Sequence, residues 1–528
     1  MGRYVNPGNL AFRRIAGPNY VDMTGLIQLI NDRVGGDESL VCISRPRRFG
    51  KSYAAKMLTA YYDCSCDSHE LFDRKIISST EAYEEHLNKY NVICLDITSF
   101  TSDVKKRHAS FLEVPEMIEK ALWKDLVENG FVPKVNDALN DFLLRCVASD
   151  NGRPIIFIID EWDAMIREAK NEPAAQDAYL NLLRGWFKDD SFTPKVVAAA
   201  YMTGILPIKK DGSQSAISDF EEYSMLYPEE FARFVGFSET QVKRICEKNN
   251  MDFESVKAWY DGYELAGEHA VYNPYSVMNA CREKDCRSFW ITTSAAEAMT
   301  DYINMDFDGL QETVAQLIGG AEIEVNTSRF QNDFERFQTK DDVLTLLVHL
   351  GYLTYDAARK TVRIPNEEVR EEFRNFLGND HVGENWEKLL NRSRKLIADT
   401  VSGDGEAVAA ALEEIRGENY APQFYNNEQS LRAIIKYAYL AAIGQYLRVE
   451  EIPSGKGIAD IAFIPTSVSR LPAMIVELKW NKTAGGAIAQ IKEKNYTATL
   501  KPFAGNLLLV GINYDEKTGK HTCLIEKA

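Results

Sequence analysis

Positive charge is in short supply in this 528-residue chain: 61 Lys and Arg stand against 78 Asp and Glu, a formal charge of −17. Phosphate neutralisation supplies most non-specific affinity for nucleic acid, so a whole-surface nucleic-acid binder is excluded and any such partner needs a local groove. Cysteine is sparse too, nine in all. Cys64-x-Cys66 and Cys281-x4-Cys286 have no second pair at zinc spacing, which argues against a structural metal site. A scattered, odd set of thiols fits reduced side chains and leads to the expectation of a cytoplasmic protein. The seven histidines share no metal spacing. No apolar run reaches the roughly 18 residues of a membrane span. The opening residues lack the basic-then-apolar layout of a secretory signal. Internal repeats and low-complexity tracts are missing, so solenoid and disordered classes fall away. What is present is ordinary globular material, 45% hydrophobic and 26% charged.

In the first 230 or so residues, four short apolar runs alternate with helical stretches: Leu40–Ser44, Val92–Ile97, Ile155–Asp160 and Val196–Thr203. They read as strands of a parallel sheet covered on both faces. The first run enters Arg45-Pro46-Arg47-Arg48-Phe49-Gly50-Lys51-Ser52, and a helical stretch follows from Tyr53 to Tyr62. Strand, loop, Gly-Lys-Ser, helix is the layout of a phosphate-binding P-loop. Backbone N–H groups of the loop and the helix N-terminus attract phosphate. Lys51 then reaches the β- and γ-phosphates of ATP, and the Ser52 hydroxyl ligates Mg²⁺. One element departs, since Arg45 replaces the first glycine of the usual pattern. The third run ends in Asp160-Glu161, at the strand edge where open α/β sheets bind ligands. Asp160 is suited to hold Mg²⁺ through water and Glu161 to act as general base. Thr203 closes the fourth run, a hydroxyl placed to sense the γ-phosphate or to position the attacking water.

The middle of the chain is mostly helical. Within it Asp341–Leu350, Gly351–Asp356 and Lys360–Pro365 give helix, strand, turn, strand, as in a winged-helix unit; a helical hairpin plus β-hairpin is the plain alternative. The last 110 or so residues form a second α/β pattern. It runs from a helix over Glu428–Leu447 to strands near Val449 and at Ile458–Ile464 and Ala473–Lys479. A helix Ala487–Tyr496 and strands Asn506–Ile512 and Thr522–Glu526 complete it. Side chains two apart on a strand share a face, so Glu477 and Lys479 project together. Asp460 lies on the preceding strand, 16 intervening residues away. Two carboxylates that bind Mg²⁺ beside a lysine that orients or deprotonates water suit attack on a phosphodiester. Gln490 and Tyr496 follow on a helix, and Glu428 is a further candidate metal carboxylate. Lys479, Lys482, Lys492 and Lys494 make a candidate basic rim; Lys209 and Lys210 are candidates for approaching phosphate. Lys105-Lys106-Arg107-His108 reads as a solvated loop end.

Six stretches carry a family resemblance: Tyr20-Val21-Asp22-x-Thr24, Ser44 through Ser52, Ile159-Asp160-Glu161-x-Asp163, Thr203-Gly204-Ile205, Trp259-Tyr260-Asp261-Gly262-Tyr263 and Tyr272-Asn273-Pro274-Tyr275-Ser276. From about Tyr20 to its end, the chain resembles bacterial AAA-ATPase-like proteins with a C-terminal PD-(D/E)XK nuclease-family domain. Met23 stands where that family usually has Lys. The arginine-rich loop takes the place of the first glycine in that family, so Arg45 follows the pattern, and the resemblance implies that the loop 45–52 cradles ATP. It implies an ASCE-type P-loop sheet in residues 1–230, a helical lid and winged-helix-like connector in 231–410, and a restriction-endonuclease-like α/β domain in 411–528. The expected activity is ATP hydrolysis coupled to Mg²⁺-dependent action on nucleic acid, DNA before RNA. The competing expectation is a nucleotide-controlled switch whose C-terminal domain binds without cutting. A remodelling ATPase would further require a homo-oligomer with an arginine acting in trans, Arg233 being one of many candidates.

Overall fold

The computed structural model describes residues 2–135, 137–208, 217–234, 236–265, 268–290, 309–330, 337, 339–377, 384–419, 425, 427–442, 445–454, 457–465, 471–494, 500, 503 and 505–528. The backbone divides into two compact units. One comprises Met1–Ile291 with Val325–Glu368, the other Thr292–Glu324 with Val369–Ala528.

The first unit is built on a five-stranded sheet: β1 (Leu40–Ser44), β2 (Asn91–Asp96), β3 (Ile155–Asp160), β4 (Val197–Gly204) and β5 (Glu221–Tyr223). Their spatial order is β2-β3-β4-β1-β5, and every pair is parallel. The strand of the Gly-Lys-Ser loop and that of Asp160-Glu161 are therefore separated by β4, the ASCE arrangement that the sequence leads one to expect. Ile155 through Ile159 are all buried, as apolar side chains of a strand covered on both faces should be. Phe157 packs against Trp186 and Phe187 of the helix Pro173–Phe187, with ring centroids 5.5 and 5.3 Å apart. Each such burial stabilises the unit by roughly 1.5–3 kcal/mol. The helix after the loop begins at Lys51, two residues before the expected start. β5 has no apolar run to announce it; it forms because β1 leaves one edge open to pairing.

The same unit holds the helix Lys340–Leu350, started by a Thr339 capping box and ended by Gly351 at φ +86°. An antiparallel hairpin follows, with Thr354 opposite Arg363. Two glycines fix close approaches here. A Cβ on Gly351 would sit 2.7 Å from the Pro46 Cβ, and one on Gly262, at φ +117°, would sit 1.9 Å from the Pro365 carbonyl oxygen. Tyr263 donates its hydroxyl to the Gly351 carbonyl at 2.7 Å and meets Phe49 edge-on at 5.1 Å. The Trp259–Tyr263 stretch is thus packing beneath the loop.

The second unit carries another five-stranded sheet, whose strands follow chain order: Tyr446–Ser454, Gly457–Pro465, Ala473–Trp480, Leu507–Asp515 and Lys520–Lys527. Only the third and fourth run parallel, and the helix Ala484–Glu493 connects them. One expectation needs correction. The helix expected over Glu428–Leu447 ends at Ala438, and Tyr446 already belongs to the first strand. No glycine or proline stops it before Gly444; the Ser393 hydroxyl does, donating to the Ala438 carbonyl at 2.7 Å and accepting the Ala441 N–H at 2.8 Å. A tertiary contact of this kind leaves no local signature.

Candidate functional site

The loop after β1 turns through two left-handed residues, Arg48 (φ +71°) and Gly50 (φ +88°). Gly50 takes that conformation without penalty. Arg48 is held in it from outside, with its guanidinium 4.3 Å over the Tyr275 ring and 2.5 Å from the Phe289 carbonyl. Lys51 is buried and donates to the carbonyls of Arg45 and Pro46, both at 2.9 Å. Burial lowers its pKa, an effect that the Glu161 and Asp160 charges oppose. Ser52 is exposed beside it at the helix start. Arg45 is fully buried, with its guanidinium donating to the Ser44 and Tyr223 carbonyls at 2.9 and 3.0 Å. Its side chain serves the interior, leaving its main chain to the loop. Phe49 is likewise buried, and Arg47 is half-buried.

Asp160 and Glu161 end β3 next to this loop. The Thr203 hydroxyl donates to Asp160 Oδ1, binding two of the expected site residues together. Glu161 Oε1 lies 3.8 Å from Lys51 Nζ. Glu161 sits at φ +54°, an unfavourable backbone state for a residue with a Cβ. Burial raises its carboxyl pKa, with Lys51 pulling the other way. Sequence reasoning missed what holds it. Arg167 places NH2 2.5 Å from Glu161 Oε2 and Nε 3.0 Å from Asp163 Oδ2. That Asp163 oxygen also accepts the Ile205 and Leu206 N–H groups at 3.1 and 2.9 Å, locking the turn after β4. The i,i+4 spacing of Asp163 and Arg167 was the available signal. Asp96, which ends β2 in register with Asp160, was also missed; its carboxylate caps the next helix at Thr98 N–H.

In the second unit, Ile461 stands opposite Val476, and one further step of that antiparallel register sets Asp460 beside Glu477. Asp460, Glu477 and Lys479 are 9%, 2% and 7% exposed. Lys479 Nζ lies 2.9 Å from Glu477 Oε1, to which the Gln490 amide also donates. Asp460 Oδ2 accepts the Leu478 N–H at 2.8 Å. Burial first, and the Asp460 charge second, push the Glu477 carboxyl above its ordinary pKa. Its Oε2 is buried with no hydrogen-bond partner among the described residues. A buried acceptor of this kind is costly, and two adjacent carboxylates with one oxygen unsatisfied fit a hard divalent cation. Glu428 is half-buried at the start of its helix. Among the described residues, no group of three or more His, Cys, Asp or Glu side chains is assembled for a metal. Arg432, one turn beyond Glu428, was missed from sequence; its NH2 stands 2.5 Å from Asp460 Oδ1.

Of the candidate basic rim, Lys492 is paired with Glu526 at 2.5 Å and Lys482 is exposed. Lys105 pairs with Glu168, and Arg107 with Asp103 and Glu113, so that cluster is locally neutralised. Lys209, Lys210 and Tyr496 lie outside the described residues. Among the described residues no helix is long and apolar enough to cross a membrane.

An uncharacterized protein in the vnfD 5′ region of Azotobacter chroococcum is 22% identical over 513 residues, covering 94% of this chain and 92% of that protein. Two structures of the ORC2 protein of Aeropyrum pernix are similar at 14% and 12% identity. They cover 69% and 70% of this chain and 97% and 99% of theirs, each with a TM-score of 0.30. Residues 9–213 match the family described as Predicted AAA-ATPase and residues 426–523 match the PD-(D/E)XK nuclease superfamily, so the chain joins an AAA-ATPase-like domain to a nuclease-superfamily domain.

Proposed function

We propose that the protein binds and hydrolyses ATP and acts, through a Mg²⁺-dependent C-terminal site, on phosphodiesters of nucleic acid, DNA before RNA. The observation that carries the reading is the buried grouping of Asp460, Glu477 and Lys479 with its unsatisfied Glu477 oxygen, in a chain that also holds an ordered Gly-Lys-Ser loop. In the N-terminal domain, Lys51 and the N–H groups of the loop 45–52 hold the phosphates. Ser52 and Asp160 hold Mg²⁺, Thr203 orients Asp160, and Glu161, positioned by Arg167, takes the proton of the attacking water. In the C-terminal domain, Asp460 and Glu477 would be the Mg²⁺ ligands; Glu428, which stands outside that pair, would join them only on metal binding. Gln490 fixes Glu477, and Lys479 orients the nucleophilic water. Bound at either site, Mg²⁺ neutralises phosphoryl oxygens and acidifies bound water. The working division is an ATPase domain over 1–230, a helical and winged-helix-like connector over 231–410 and a nuclease-like domain over 411–528, in a cytoplasmic homo-oligomer whose nucleotide state controls cleavage.

Arg167 on Glu161 and Arg432 on Asp460 favour a second reading, a switch that binds nucleotide and nucleic acid without cutting. ATPase and nuclease assays of the full chain with and without Mg²⁺ separate the two. The enzyme reading expects nucleotide binding to vanish in Lys51→Ala and cleavage to vanish in Asp460→Ala/Lys479→Ala. Undiminished metal-dependent cleavage by that double variant would sink the nuclease assignment, and normal nucleotide binding by Lys51→Ala the ATPase one.

A further inference from the structure

The helix Glu428–Ala438 buries Leu431, Ile434, Ile435 and Ala438 against its unit, and Arg432 projects from its flank. The Arg432 and Asp460 side chains are 13% and 12% exposed, and one guanidinium nitrogen lies 2.5 Å from Asp460 Oδ1. The other Asp460 oxygen is taken by the Leu478 N–H. Both oxygens are therefore engaged before any cation arrives. Among the described side chains, the carboxylates Asp460 and Glu477 are each paired with a cation, Arg432 and Lys479, so these four groups sum to zero. A divalent cation entering this half-dry site leaves an excess of two positive charges, which a low-dielectric environment penalises steeply. The excess falls when anionic phosphate enters and when the guanidinium leaves Asp460. A guanidinium suits that transfer, because its planar fork matches two phosphate oxygens as well as it matches a carboxylate.

We propose that Arg432 is the resident counter-ion of the nuclease-like site, which a divalent cation displaces from Asp460 and a nucleic-acid phosphate receives. The inference rests on the reading of Asp460 and Glu477 as metal ligands. Its consequence is reciprocal: nucleic acid tightens metal binding, and metal tightens nucleic-acid binding by the same factor. Arg432 so keeps the metal out until substrate is present.

The test is titration of full-length protein with Mn²⁺, read as loss of the free-ion electron paramagnetic resonance signal, with and without a double-stranded DNA oligonucleotide. The DNA carries phosphorothioate linkages that slow turnover, so Lys479 and its charge stay in place. With Arg432 in place, DNA should tighten Mn²⁺ binding about tenfold, the worth of one charge-assisted contact. Arg432→Gln should bind Mn²⁺ about tenfold more tightly without DNA and gain less than about twofold from it. Arg432→Lys, which keeps the charge and loses the fork, should still exclude Mn²⁺ but show weaker coupling. It also serves as the readable variant if circular dichroism shows Arg432→Gln to be unfolded; coupling as strong as with Arg432 would then overturn the proposal. Unchanged or weaker Mn²⁺ binding by folded Arg432→Gln overturns it as well, leaving Arg432 a strut for Asp460. Asp460→Asn separates the two levels. If it too leaves Mn²⁺ binding unchanged, the metal-site reading itself has failed.

Discussion

His349 offers a quantitative check on the interior beneath the Gly-Lys-Ser loop. It lies in the helix Lys340–Leu350, is 1% exposed, and neither ring nitrogen finds a hydrogen-bond partner among the described residues. The Phe330 ring stands 5.3 Å away. Burial first, and the Arg45 charge second, push its pKa from 6.5 down to about 3. Below pH 6.5 the unfolded chain takes up a proton that the folded chain refuses. The unfolded state then binds more protons, so stability falls as pH drops from 6.5 towards 3. At 1.36 kcal/mol per unit, the loss is about 2 kcal/mol by pH 5 and about 4 kcal/mol by pH 3, where the folded-state ring begins to take up its proton. His349→Phe removes the proton acceptor and fits beside Phe330 at a packing cost below about 1.5 kcal/mol. The assay is urea unfolding of wild type and variant at pH 7 and pH 5, followed by tryptophan fluorescence. Comparing the two proteins cancels the groups they share, so wild type should lose about 2 kcal/mol more than the variant over that interval. Equal losses, within about half a kcal/mol, would refute the neutral, desolvated histidine and the buried Arg45 charge beside it.

Three further outcomes follow from single contacts. Gly262→Ala drives a Cβ into the Pro365 carbonyl from a left-handed backbone and should cost more than about 3 kcal/mol; a melting temperature near wild type counts against the close approach. Ser393→Ala removes both partners at the end of the helix Glu428–Ala438 and should destabilise the second unit by about 1–2 kcal/mol in urea unfolding. A loss below about half a kcal/mol says that the hydroxyl does not stop that helix. Arg167→Lys keeps the charge but cannot span Glu161 and Asp163 together. Steady-state ATPase assays should show a kcat about tenfold lower with nucleotide affinity unchanged, and an affinity loss with intact kcat contradicts the assignment.

Where one residue's chemistry and its immediate neighbours decide the outcome, the sequence was legible. Leu40–Ser44 and Ile155–Asp160 are strands with the expected ends, because short β-branched runs bounded by polar residues have few other ways to be buried. Glu477 and Lys479 share a face as period-two alternation requires, and the preceding strand brings Asp460 to them. What stayed hidden was set by tertiary contacts. β5, Glu221–Tyr223, is an acidic tripeptide made into a strand by a free sheet edge. Arg45 was legible as the residue in place of the first loop glycine, but the destination of its guanidinium, two interior carbonyls, was not. Arg167 and Arg432 each hold a carboxylate of a candidate site, and the reach of an arginine side chain leaves its destination open until the backbone around it is fixed.

The run of contacts from Gly262 through Tyr263 and Gly351 to Pro46 bears on how variants of this protein are to be interpreted. These residues come from segments some 200 and 300 positions along from the loop, yet they form the wall against which it rests. Phe49 is pressed on the same wall. On the proposed reading of the loop, a substitution at Tyr263 or Gly351 can therefore weaken nucleotide binding while touching no nucleotide. A scan scored on ATP affinity alone would file such positions with Lys51. Only a stability measurement on the same variants tells the mould from the grip.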